Sequence, residues 1–444
     1  MKGAELMKEK GVEIAVVTQV IKPMRFSLWI RLLPIIFGMI WLNLTIFLFE
    51  FGPFSYPDID HLTLNAYLFI SNCSICLGYI IGIRGVGKGY RVLVKPCQLL
   101  RFCCYMSLAG ILITLTTWPS PNEIILAYFS ENSAIIRSQA LNALGGRWQD
   151  YISIFLSPFT SILVTAGVYY WGSSSAYVRV MVFATIAFKI LGSIMTGGRI
   201  GMIEIFILVG LSYIAKCFRT RDRFPIIRFL VIASLVLFFT FAYSAFITVS
   251  RSGHDAGTYI DNFPTVGYGE LDKNGAMVLL TPTLLAPLLI QSIAYVSHGY
   301  YALALCLEKS FHGITFGFGH SPFLIRLADL FTASDYFKST SYYTRLLLED
   351  GYSSQLFMTG YIWIANDVTF LGSLLVFIIF GYLLGKSWLD TLVGKNPFAV
   401  TIFSLFLFML FSLSMFSTIQ DPAPFISYYS ILILWWFTRS RFSS

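Results

Sequence analysis

Two arginines stand where a guanidinium could do chemistry. Arg199 closes Thr196-Gly-Gly-Arg199, which must turn the chain between two apolar runs with almost no loop, and Arg251 directly follows another apolar run. Glycine lets backbone approach closely, a helix start adds partial positive charge, and guanidinium is a planar, permanently charged donor fork suited to phosphate. Several such groups at headgroup depth would hold a pyrophosphate carried on a lipid. Arg137, Arg147 and Arg345 are candidates for the same site, with Arg326 a weaker one. The plain alternative is that Arg137, Arg147 and Arg326 pair with nearby acids, and that Lys273, Lys309 and Lys338 are solvated surface.

A reaction at such a site also needs a base. His254, His298, His312 and His320 all fall between residues 250 and 367, and His61 lies near a helix end. His298 opens Ser297-His-Gly-Tyr-Tyr301 and His320 closes Gly317-Phe-Gly-His320. Neither has metal-ligand spacing with another His or Cys, so no metal and no cofactor is expected. Each is a candidate base, the alternative being a structural hydrogen-bonding histidine. Asp255, Glu349, Asp350 and Asp367 are the carboxylate candidates. Asp367 ends Trp363-Ile-Ala-Asn-Asp367, where the chain re-enters an apolar run, and desolvation there favours the protonated acid and a role as base. Helix N-cap or arginine partner are its other readings.

These residues are spaced by elements that only a lipid environment explains. Hydrophobic residues make up 56% of the 444-residue chain and charged residues 12%, with a mean hydropathy of +0.72. The expected fold is an all-α, polytopic membrane bundle, because the apolar runs are continuous rather than alternating as in barrel strands. Ten spans are expected: 32–49, 62–83, 102–118, 151–171, 178–194, 200–215, 227–247, 370–384, 398–415 and 425–437. The layout divides into 1–249 with the first seven spans and an external loop at 119–150, a large external segment at 250–367, and 368–444 with the last three spans. Met277 to Val296 within that segment is apolar but broken by Pro282 and Pro287, and reads as an interfacial or re-entrant helix.

With both termini cytoplasmic, 21 of the 31 basic residues fall on one side, as the positive-inside rule requires. The net charge of +8 is thus a topology signal, and no nucleic-acid partner is implied. The N-terminal stretch carries Lys2, Lys8 and Lys10 without a small-residue cleavage site, so the first span is expected to be an uncleaved anchor. Four of the seven cysteines lie in apolar runs and two in basic loops, which predicts no disulfide. Lys189 and Glu204 flank the Gly-Gly-Arg turn at similar depth and are expected to form an intramembrane ion pair.

In this layout the chain resembles the Wzy-type oligosaccharide repeat-unit polymerases. The resemblance is carried by Thr196-Gly-Gly-Arg199, by Arg251, by the basic loop with Arg137 and Arg147, and by the large external segment with Ser297-His-Gly-Tyr-Tyr301, Phe316-Gly-Phe-Gly-His-Ser321 and Ile362-Trp-Ile-Ala-Asn-Asp367. It implies transfer of a growing glycan from undecaprenyl pyrophosphate to another lipid-linked repeat unit, on the periplasmic face of a bacterial inner membrane. Membrane lipids, a chain-length regulator and a flippase are the implied partners. Arginines would stabilise the pyrophosphate without a metal, His298, His320 or Asp367 would act as base, and Tyr300 and Tyr301 would stack on sugars unless they serve as interfacial anchors. An O-antigen ligase shares the donor chemistry, and a flippase of the same lipid-linked units is the non-enzymatic rival.

Overall fold

The structure, a computed structural model, describes residues 26–57, 59–84, 90–91, 94–117, 148–195, 200–220, 242, 269–282, 285–352 and 358–441. In lipid every backbone N–H and C=O must be paired within its own segment, so long apolar runs fold as helices. The first six are α1 (Leu28–Phe51), α2 (His61–Ile83), α3 (Pro96–Thr117), α4 (Trp148–Tyr169), α5 (Ala176–Met195) and α6 (Ile200–Thr220). Short helices follow: α7 (Ala276–Leu279), α8 (Ala286–Ser297), α9 (Gly299–Leu307), α10 (Pro322–Thr332), α11 (Tyr336–Thr340) and α12 (Tyr342–Glu349). The chain closes with α13 (Gly360–Val393), α14 (Pro397–Ser412) and α15 (Pro422–Phe437).

Among the described residues seven helices, α1 to α6 and α13, are long and apolar enough to cross a membrane, while α14 and α15 are apolar but 16 residues each. The chain is an all-α, multi-span membrane protein. Each of these nine helices falls on an expected apolar run; the run 227–247, except Ala242, lies outside the described residues. α8 has 12 residues and spans about 18 Å, short of a hydrocarbon core of about 30 Å.

Two small ladders tie the ends together. β1 (Phe54–Ser55), just before α2, pairs antiparallel with β3 (Glu270–Leu271); β2 (Tyr90–Arg91), just after α2, pairs with β4 (Ser440–Arg441). The α1–α2 connection therefore meets the segment before α7, and the α2–α3 connection meets the chain after α15.

Packing cannot rely on hydrophobicity when lipid is equally apolar, so close approach and polar contacts hold the bundle. Gly78 and Gly82 on α2 face Gly381 and Gly385 on α13, two small-xxx-small pairs pressed backbone to backbone. A Cβ at Gly78 would collide with the Ile378 carbonyl, one at Gly381 with the Ile75 carbonyl, and one at Gly385 would lie 2.7 Å from the Tyr79 oxygen. Hydroxyl pairs cross other seams: Thr165 to Thr401 at 2.7 Å, Ser157 to Ser427 at 2.8 Å and Tyr67 to Ser373 at 2.8 Å. α14 is buried almost all round and contacts α1, α4, α6, α13 and α15, which makes it the central helix.

α13 breaks at Thr369, whose φ of 70° and ψ of 168° lie where side-chain-bearing residues are strained. Thr369 Oγ1 accepts from Gly372 N at 3.1 Å and caps the second half. The expected span began at Phe370, directly after this break, but the helix runs on past Leu384 to Val393. Lys386, two residues beyond the expected end of that run, is consequently buried. Continuation is stabilised by packing: Trp388 Nε1 donates to the Ile30 carbonyl at 2.9 Å.

The Lys189–Glu204 pair does not form: among the described residues no ion pair links them. Glu204 instead lines a cavity with Thr418, Asp421 and Tyr428, because α6 turns that face toward α14 and α15. The ion pair the fold does bury is Arg439 Nε to Asp390 Oδ2 at 2.6 Å, with Trp435 Nε1 on the same oxygen at 3.0 Å. Arg439→Ala takes the cation away from that buried carboxylate, and a loss of about 3–5 kcal/mol is expected as a lowered Tm in detergent. Adding Asp390→Asn should recover most of it; a double variant as unstable as the single one would exclude the ion pair as the cause.

Candidate functional site

The connection between α9 and α10 is built around glycine. Phe318 N donates to the Thr315 carbonyl at 2.9 Å, closing a turn whose central residues Phe316 and Gly317 have φ of 53° and 85°. Two positive φ values in succession suit a primed turn, at no steric cost to Gly317 and with strain at Phe316. The turn converges on one acceptor. Asp367 Oδ1 receives Gly317 N at 3.0 Å, Gly319 N at 2.8 Å and the Thr315 hydroxyl at 2.5 Å. A Cβ at Gly319 would collide with Thr315 Oγ1, so only glycine fits there. Asn366 secures the same loop, donating to the Gly319 carbonyl at 3.0 Å and accepting from Tyr342 N at 2.9 Å.

Asp367 Oδ2 then faces His320 Nδ1 at 2.9 Å, and His320 Nε2 meets the Tyr429 hydroxyl at 2.9 Å. An ionised carboxylate only accepts, so Nδ1 carries the hydrogen; in the neutral ring Nε2 then keeps a lone pair that can accept from the Tyr429 hydroxyl. Desolvation was expected to raise the Asp367 pKa toward the range of a base; four donors on the carboxylate oppose that burial and favour its ionised form. It is not an N-cap either: Thr359 caps the start of α13 and Thr369 its second half. The arrangement can accept a proton at Nε2 from a hydroxyl that displaces Tyr429, while the carboxylate stabilises the imidazolium that results.

The pair sits at one end of an apolar cavity of about 460 Å³ running between α13, α14 and α15. Phe316, 75% exposed on its strained turn, stands at the same end.

The other candidates are distributed differently. Arg137, Arg147, Arg199 and Arg251 lie outside the described residues. Arg345 is buried on α12, with Nε 3.1 Å from Glu349 Oε1 and Nη1 2.6 Å from the Ser310 carbonyl, so its donors serve the fold. His298 is 1% exposed at the α8–α9 junction, with Nδ1 2.6 Å from the Ala294 carbonyl. A base there could not reach an external hydroxyl. Tyr300 is 0% exposed, its hydroxyl 2.9 Å from Thr45, and offers no face to a sugar. Tyr301 is half-buried, stacked on Tyr56 at 5.4 Å.

Tyr429 was missed by the sequence reading because aromatics are common in spans; its one signal is a polar tip about two turns inside the N-terminal end of α15. Among the described residues no group of His, Cys, Asp and Glu side chains could hold a metal ion.

Around Arg345, Lys309 reaches Glu349 at 2.8 Å and Asp350 at 2.7 Å. Hydrogen bonds from Lys309 and Arg345 bring the Glu349 carboxyl down to about 2 from 4.5. A carboxyl depressed in the folded state contributes stability that is complete above its unfolded value and fades as pH falls toward the folded one. Lys309→Met is therefore expected to reduce the fall in Tm between pH 4.5 and about 2. The effect is small, because Glu349 is exposed and screened; a wild-type slope in the variant would count against the pair.

Comparison with protein-family models, with curated proteins and with solved structures finds no match to this chain.

Proposed function

We propose that this protein is a membrane glycosyltransferase of the Wzy type, an O-antigen polymerase that joins undecaprenyl-pyrophosphate-linked repeat units. The observation that carries the proposal is the Asp367–His320 pair with Nε2 at the end of an apolar cavity within a membrane bundle. A hydroxyl nucleophile and a lipid-borne leaving group can meet there. In the step, the acceptor oxygen bonds to the anomeric carbon of the donor, the bond from that carbon to the pyrophosphate oxygen breaks, and the hydroxyl proton passes to His320 Nε2. Undecaprenyl pyrophosphate leaves. Its charge would be stabilised by Arg199 and Arg251, with Arg137 and Arg147, and this chemistry needs no cofactor.

The proposal includes the finer topology: ten spans with 227–247 as the seventh, both termini cytoplasmic, and 250–367 on the periplasmic face of the bacterial inner membrane. The inner basic clusters support that orientation. A chain-length regulator and a flippase would be its partners. An O-antigen ligase would use the same pair on a lipid A core acceptor, so the acceptor decides between the two.

Purified protein incubated with its lipid-linked repeat units is expected to give a glycan ladder. No ladder with the native substrate would refute the polymerase reading. Ladder formation by both Arg199→Ala and Arg251→Ala would refute only the assignment of the pyrophosphate.

A further inference from the structure

We infer that the apolar cavity below His320 binds the prenyl chain of the donor, and that the acceptor is recognised through its glycan without its own lipid. The inference rests on the glycosyl-transfer reading above and adds which of two lipid-linked substrates the cavity serves.

The cavity has the form of a slot for a chain. Its wall on α13 runs from Asp367 and Val368, across the break at Thr369, to Leu383, at most about 24 Å by helical rise against a hydrocarbon core of about 30 Å. Away from the site it is lined by Phe377, Phe380 and Leu383 of α13, Phe406 and Met409 of α14 and Leu432 of α15. The Tyr428 hydroxyl, also on the wall, is taken up by the Leu405 carbonyl at 2.6 Å. The remaining polar groups, on His320, Asp367 and Tyr429, gather where the α9–α10 connection meets it. Such a wall offers a sugar almost nothing to hydrogen-bond and an isoprenoid chain continuous apolar contact. Ile379 is 58% exposed and Val368 38%, so the slot opens on the side that faces lipid and a chain can enter laterally.

Reaction geometry then separates the substrates. The donor carbon under attack is joined to its lipid through the pyrophosphate alone. The acceptor hydroxyl lies on the far sugar of its repeat unit, a whole oligosaccharide away from its own lipid. His320 Nε2 must lie within hydrogen-bond reach of the attacking oxygen, and so close to the donor carbon. A chain whose head ends beside Nε2 can therefore belong only to the donor.

The test uses the full chain in phospholipid nanodiscs. Undecaprenyl phosphate carrying a diazirine on its chain is expected to label cavity residues of α13 and α14, in wild type and in His320→Ala alike. Met409→Trp, which fills the slot, should cut labelling at least about tenfold. A diazirine phosphatidylglycerol labelling the same residues equally would overturn the site as one for the carrier chain. In turnover, Met409→Trp should raise the donor KM about tenfold and leave the KM of a lipid-free repeat-unit acceptor unchanged. A rise in acceptor KM alone, or no transfer to the lipid-free acceptor while the lipid-linked pair reacts, would overturn the assignment. Leu432→Trp probes the opposite wall should Met409→Trp fail to fold. Failure of the glycosyl-transfer reading itself would show as no transfer by wild type, and the labelling arm still tests the chain site.

Discussion

His320→Ala is expected to stop glycan extension, with a rate lower by about 10²–10⁴-fold. The variant removes the imidazole that lines the end of the cavity, and it leaves the turn at 315–319 intact because Asp367 Oδ1 still receives Thr315, Gly317 and Gly319. Asp367→Asn should approach the same loss for a different reason. Its carbonyl oxygen is needed by the three donors of the turn, so its NH₂ group faces His320 Nδ1. The imidazole must then accept at Nδ1 and carry its hydrogen on Nε2, the wrong tautomer for a base. Tyr429→Phe removes the hydroxyl that rests on Nε2 in the absence of substrate and should preserve most of the rate. The readout is single-turnover formation of the first ladder step by protein of unchanged Tm. Wild-type rates in His320→Ala, with loss in His298→Ala, would move the base to the other histidine.

Gly381→Leu is expected to leave little folded protein. Its side chain would have to enter the Ile75 carbonyl and the Tyr79 backbone of α2, and backbone in a packed span cannot rotate aside as a side chain can. Gly78→Leu meets Ile378 from the opposite helix and should behave alike. Gly210→Leu on α6 is the control, since nothing lies within 4 Å of a Cβ there. The measurement is the monodisperse fraction after detergent extraction. Equal recovery of Gly381→Leu and Gly210→Leu would mean that α2 and α13 are not held at this distance.

Both predictions concern residues whose meaning the linear pattern conceals. His320 and Asp367 were each legible as candidate bases, His320 from its glycine-rich approach and Asp367 from its place at a span boundary. Their partnership was not, because it crosses 47 positions of chain and depends on a turn with two successive positive φ values. Tyr429 was invisible for a related reason: its polar tip acquires a role only when α15 is set beside the 313–320 connection. His298 and Tyr300, as conspicuous in sequence as His320, are buried by the packing of α8 against α1 and of α9 against α2. Arg345, a candidate for the pyrophosphate in sequence, is enclosed in space by Glu349 and Ser310.

The sequence by itself determined the class of the molecule and the approximate places of nine apolar helices. Apolar length is a local property, and a lipid solvent converts it directly into helix, because unpaired backbone in hydrocarbon is prohibitive. Which helix is central was decided only by tertiary structure. α14 and a lipid-facing helix carry the same kinds of residues, since neither environment offers water, and hydrophobicity cannot rank them. The same limit applies to the site. Residue type determines that a histidine can accept a proton and a carboxylate can orient it. The fold alone determines that His320 meets Asp367, that Nε2 looks toward an apolar slot, and that Glu204 lines a cavity instead of pairing with Lys189.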